Sequence, residues 1–202
     1  MKVRCLLIAA TLVAVAAPMP SVLAQDAGQL TAIDAVDVPL WKTVSLGTFA
    51  NTYDLMTALD DAHIAVGELA DQAMHRPAFT VAKIKSDVDA VVLSAAQLGV
   101  GATGASRQEI LTLARQLGFD LCPSETAALL RLRYLNQPAG EFLDVAMEPI
   151  VIYDGRPVSL TLGNGGAGLM LIGYLENEDT ILHRGRKFVF TRPLRVAQPV
   201  IR

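Results

Sequence analysis

Leu121–Ile150 reads LCPSETAALLRLRYLNQPAGEFLDVAMEPI, and the reading of this stretch decides the fold. Cys122-Pro123-Ser124-Glu125 has the chemistry of a helix start: proline is tolerated in a first turn, and an acid there suits the helix dipole. From Leu130 the residues run Leu-Arg-Leu-Arg-Tyr-Leu, an apolar/polar alternation with the period of a half-buried strand. Asn136-Gln137-Pro138-Ala139-Gly140 is turn chemistry, since proline fixes φ and glycine permits positive φ. Leu143, Val145 and Met147 then alternate with Asp144, Ala146 and Glu148. Two alternating runs around a short turn predict a hairpin. A rival reading is one longer helix, because Ala128, Leu132 and Leu135 also fit helical spacing; Pro138, so soon after, favours the hairpin.

Upstream of this stretch the signals are mostly helical. Trp41–Leu46 alternates as a short strand ended by Gly47. Asn51 or Thr52 can cap a helix carrying Leu55, Met56 and Leu59, and a second helical run brings Ile64, Val66, Leu69 and Met74 before Pro77 stops it. Val88–Leu93 fits either a buried strand or a helix continuing to Leu98. Ser106-Arg107-Gln108-Glu109 is a capping box, followed by Ile110, Leu113, Ala114 and Leu117 at i, i+3, i+4, i+7, with Gly118 as the stop. Downstream the turns are dense. Ile150–Tyr153 is extended, Asp154-Gly155 is a hairpin signal, and Val158, Leu160 and Leu162 alternate. Gly163–Gly168 reads as a loop, with further strands at Leu169–Tyr174 and Phe188–Thr191. Short turns leave no room for crossover helices, which predicts antiparallel pairing. The expected class is therefore α+β: a helical N-terminal half, 41–129, followed by an antiparallel sheet of about five strands, 130–202.

The phrases LCPSE, LRLRYLNQP and EFLDVAMEPI resemble those of a group of short, uncharacterised bacterial proteins. The resemblance runs from WKTVSLGT at Trp41 to FVFTRP at 188–193. It implies kinship but brings no activity, cofactor or catalytic residue with it. Members of the group need not be exported, so the leader described next is a point of departure.

Residues 1–24 read as a secretory signal peptide. Lys2 and Arg4 form a basic head, Cys5–Ala17 is apolar or small apart from Thr11, Pro18 and Pro20 end it, and Val22-Leu23-Ala24 presents small residues to a signal peptidase. The apolar run is shorter than the ~20 residues a membrane-crossing helix needs, and no later segment could span a bilayer. An uncleaved N-terminal anchor is the rival reading. Cleavage leaves 178 of the 202 residues. Residues 25–40 then form a flexible lead-in and 41–202 a single domain. The leader takes two bases and no acids, so 15 bases face 20 acids and the net charge is −5, a balance that argues against nucleic acid. Bases do gather after Asp179, at Arg184, Arg186, Lys187, Arg192, Arg195 and Arg202. They read as the solvated outer face of a terminal strand, or as a patch for an anionic partner. Cys5 leaves with the leader, so Cys122 has no intramolecular disulfide partner and the exported fold stands on packing.

Candidate chemistry is sparse. Cys122 at a helix start, with His183 downstream as base, is the candidate for a catalytic pair; a buried structural cysteine is the plainer reading. Gly99-Val100-Gly101-Ala102-Thr103-Gly104 matches GxGxxG, with Asp120 about twenty residues on, yet no second strand leads into that acid and no further βαβ unit follows. His63 and His75 lack metal-site spacing. Glu125, Glu141 and Glu148 form a conceivable carboxylate set for glycoside hydrolysis. The expectation is an exported, soluble binding or interaction module, periplasmic or secreted, that meets a protein or envelope polymer and uses no cofactor and no metal. The alternative is a cysteine-dependent hydrolase acting on cell-wall or peptide substrates.

Overall fold

The structure, a computed structural model, describes residues 38–177 and 179–192. The leader, most of the lead-in, and Arg195 and Arg202 of the basic cluster lie outside the described residues. In chain order the first elements are β1 (Lys42–Leu46), α1 (Thr52–Asp61), β2 (Ala65–Val66), α2 (Glu68–Met74), β3 (Ser86–Ser94) and β4 (Ala105–Ser106). Then come α3 (Arg107–Gln116), α4 (Thr126–Arg133), β5 (Phe142–Val145) and β6 (Ile150–Val151). The last are β7 (Pro157–Gly165), β8 (Gly168–Leu175), β9 (Ile181–Leu182) and β10 (Lys187–Thr191). Eight strands form one sheet in the order β1-β3-β10-β5-β7-β8-β2, with β6 paired to β7, while β4 and β9 make a separate two-stranded ribbon.

This overturns the expected helical half followed by an antiparallel sheet of about five strands. Strands outweigh helices, 32% against 23%. β1 and β3 from the supposed helical half pair with each other, and β3 also pairs with β10 near the far end of the chain. The sheet is mixed: β10 runs parallel to β5, and β2 parallel to β8. Val91 and Val92 lie inside β3, so the ambiguous apolar run is a strand, paired on both sides and buried from Ala90 to Val91.

The pivot departs from the predicted hairpin at its first arm. Leu130–Arg133 is the last turn of α4, not a strand. Every residue from Thr126 to Arg131 is buried, so α4 shows no polar stripe over that span, and the rival helical spacing of Ala128 and Leu132 is the reading the structure bears out there. The second arm, β5, forms as expected. Other local readings match the structure. Asn51 caps α1, its side chain accepting from the Asp54 amide at 3.0 Å. Ser106 and Glu109 close a reciprocal capping box on α3, and Gly118 follows at φ 85°.

Alternation along the strands divides the core into two. On one face Val44, Leu46, Leu143, Val145, Val158, Leu160, Leu162 and Val189 pack against Leu55 and Leu59 of α1, Ala70 and Met74 of α2, and Ala127–Leu130 of α4. On the other, Val91, Leu93, Phe188 and Phe190 pack against Ile110, Leu111 and Ala114 of α3. α2 lies so close to β8 that a Cβ on Gly173 would sit 2.5 Å from the Ala70 amide nitrogen. Only glycine admits that approach.

Two buried charged residues hold the first face. Glu125, 1% exposed, accepts from the Ala82 amide at 2.9 Å and the Gly47 amide at 3.2 Å, tying two loops to the start of α4. Arg131, fully buried, donates to the Gln137 side-chain oxygen, to the Tyr134 carbonyl and, at 3.3 Å, to the Gly163 carbonyl. Gln137 in turn donates to the Glu141 and Leu162 carbonyls, both at 3.1 Å. The turn at 134–141 is thereby clamped onto β7.

Candidate functional site

β7 enters the α3 face of the sheet with two hydroxyls, Ser159 and Thr161, at alternate positions between Val158, Leu160 and Leu162. Side chains at i and i+2 of a strand share a face, and each hydroxyl meets an arginine–carboxylate pair. Thr161 donates to Asp144 Oδ1 at 2.7 Å; Arg186 binds both oxygens of that carboxylate, with Nη2 at 2.7 Å from Oδ1. That pairing holds the Arg186 guanidinium above its ordinary pKa, and the Tyr174 ring lies 5.6 Å from it. Ser159 donates to Glu176 Oε1, and Arg107 Nε lies 2.7 Å from the same oxygen. The approach of Nε is out of line for a hydrogen bond, so this is an ion pair rather than a directed bond. Arg107 Nη2 donates to the Val145 carbonyl at 2.8 Å, and the guanidinium lies over the Phe188 ring at 5.5 Å.

The second of these sets floors a cleft of about 480 Å3 at the first turn of α3. Arg107, 7% exposed, and Glu176 are its two charged side chains. Leu111, Pro149 and Pro157 supply apolar wall, and Gln108 and Asn177 stand exposed at the rim. The helix start is already supplied with an anion. Glu109 Oε2 accepts from the Ser106 amide at 2.8 Å and the Ser106 hydroxyl at 2.9 Å, and those bonds hold its carboxyl below the ordinary value. With Arg107 paired to Glu176 and the helix start paired to Glu109, a second anion such as phosphate would find no unmatched positive charge here.

The residues singled out from sequence fall elsewhere. Cys122 is buried in the first core; its thiol donates to the Val189 carbonyl at 3.4 Å, and burial pushes it well above the usual thiol range. His183 is exposed in the turn between β9 and β10, its Nδ1 accepting from the Gly185 amide at 3.0 Å. No hydrogen bond among the described residues joins the two. Glu125 is occupied with backbone amides, Glu141 with Tyr134 and Lys187, and Glu148 with Arg115. The three carboxylates thus serve separate partners. His63 sits at a turn with φ 55°, and His75 closes α2. Among the described residues no three His, Cys, Asp or Glu side chains gather as a metal ion would require.

Gly99–Gly104 lies between β3, which ends at Ser94, and β4, which runs directly into α3. The strand β3 is antiparallel to both its neighbours, whereas a dinucleotide fold needs parallel ones. Asp120 lies outside the named strands, and its backbone bridges to Thr191. The basic cluster is partly neutralised, with Arg186 on Asp144 and Lys187 on Glu141.

Sequence reading missed the Arg107–Glu176–Ser159 set altogether. Its one visible trace was in β7, where the polar positions between Val158 and Leu162 are small hydroxyls rather than charges, as befits a face that is covered. Among the described residues no helix is long and apolar enough to cross a membrane. No family model, no curated protein and no solved structure matches the chain.

Proposed function

We propose that this protein is a binding module that works outside the cytoplasm after losing residues 1–24, and that its ligand enters the cleft at the first turn of α3. The cleft carries this reading. It joins a nine-tenths-buried arginine, a carboxylate and apolar wall in one concavity, the mixture typical of small-ligand sites. The leader supports the location, and kinship with the short bacterial proteins sharing the LCPSE and EFLDVAMEPI phrases belongs to the same proposal. The ligand belongs to the envelope or to an exported partner.

Two measurements test it. Fractionation of a culture should recover a chain beginning near Gln25 outside the cytoplasm; a full-length precursor among cytosolic proteins would end the export reading. Purified mature chain, screened by NMR against envelope-derived peptides, sugars and anions, should show shifts at 106–111 and 176–177. Turnover of any of these compounds by the purified chain would replace a binding role with a catalytic one.

A further inference from the structure

We infer that the cleft takes an uncharged stretch of peptide, read through its carbonyl oxygens and small apolar side chains. This rests on the reading of the cleft as the binding site and adds the class of ligand.

The charges come first. Arg107 and Glu176 lie 2.7 Å apart, side-chain exposures 8% and 13%, and cancel each other at the floor. The positive end of α3 is balanced by Glu109. A charged ligand would have to leave water without an unmatched partner to meet, at a desolvation cost that a paired floor does not return. A neutral ligand avoids that cost.

Hydrogen-bonding capacity comes second, and it is weighted towards donors. The first-turn amides of Arg107 and Gln108 have no intrahelical acceptor. Asn177 Oδ1 is occupied by the Asp179 amide, which leaves its Nδ2 to donate outwards. Gln108 stands at the rim with its side-chain amide exposed. Glu176 has its Oε1 engaged by Ser159, which leaves its Oε2 and the Gln108 side-chain oxygen as the acceptors of the cleft. Such a surface fits a ligand with several carbonyl acceptors and a few N–H donors. Between the donors, Leu111, Pro149 and Pro157 offer apolar surface on which side chains of alanine to leucine size can lie. Peptide repeats this pattern of carbonyl and apolar substituent along its length; sugars present hydroxyls in place of both.

The test is an NMR titration of 15N-labelled mature chain with three probes: acetyl-Ala-Leu-Ala-amide, the same tripeptide with a free C-terminal carboxylate, and inorganic phosphate. The capped peptide should shift the amides of Ser106, Gln108, Leu111 and Asn177, with a Kd on the order of 0.1–1 mM, and the free carboxylate should bind at least tenfold more weakly. Gln108→Trp, at an exposed position, should fill the mouth and weaken the capped peptide tenfold or more. Asn177→Asp keeps the turn acceptor but removes the donor, and should do the same. Shifts from phosphate or from the free carboxylate alone would overturn the ligand class and leave the cleft as the site. Silence of these amides towards every probe here and in the wider screen would overturn the cleft itself.

Discussion

Replacing Arg131 by methionine tests how the pivot is held. The side chain is fully buried, and it supplies donors to the Gln137 side-chain oxygen and to the Tyr134 and Gly163 carbonyls. Methionine fills much of the same volume but donates nothing, so two buried acceptors, on Gln137 and Gly163, and the half-buried Tyr134 carbonyl lose their partner. An acceptor stranded this way costs about 1–3 kcal/mol, since one side of the bond remains and cannot reach water. Against this stands the relief of removing a guanidinium whose charge burial disfavours, worth several kcal/mol in the opposite direction. The net expectation is a loss of about 2–4 kcal/mol, because Gln137 also anchors Leu162 and Glu141 and the turn at 134–141 loosens with it. Trp41, the single tryptophan, packs edge-on to Tyr134 at 5.0 Å and reports on this region. In urea, at a slope of about 2 kcal/mol/M, the fluorescence midpoint should fall by about 1–2 M. A midpoint within about 0.3 M of the parent, at unchanged slope, would refute the idea that Arg131 clamps the turn to β7.

Three further outcomes follow from the same contacts. Glu125→Ala strands the Gly47 and Ala82 amides and should cost about 2–4 kcal/mol, with exchange at those two amides accelerating first; unchanged exchange there would show that the loops hold themselves. Glu109 has a lowered folded pKa, so its capping contribution is complete above the ordinary value of 4.5 and is lost as pH falls through the lower folded value. Glu109→Gln should therefore flatten the acid limb of stability below pH 4.5, and an acid limb identical to the parent's would count against the capping box. Cys122, buried and with its thiol raised, should resist iodoacetamide in the folded protein and react fully in urea; stoichiometric labelling of the native chain would reopen a nucleophilic role.

Local chemistry was legible in this sequence where a side chain talks to its own neighbours. Asn51 and the Ser106/Glu109 box declare two helix starts because capping is decided within three residues. What was not legible is decided across the chain. α4 is surrounded by the sheet, α1 and β1, so its polar positions need not face water. Arg131 goes inward and imitates the polar beat of a strand. β3 looks like helix or strand until its partners, β1 and the distant β10, are known. The parallel pairing of β10 with β5 has no local signature, since more than forty residues separate Val145 from Val189. The cleft was hidden for the same reason. Arg107 read as an ordinary first-turn residue, and its partner Glu176 lies sixty-nine positions away at the end of β8.

Hydrogen exchange of the mature chain, with and without saturating capped tripeptide, tests the central claim most directly. Protection confined to residues 105–111 and 173–177, with β3, β10 and β5 unchanged, is the predicted result. Protection centred on Cys122 or His183, with 105–111 unaffected, would contradict it.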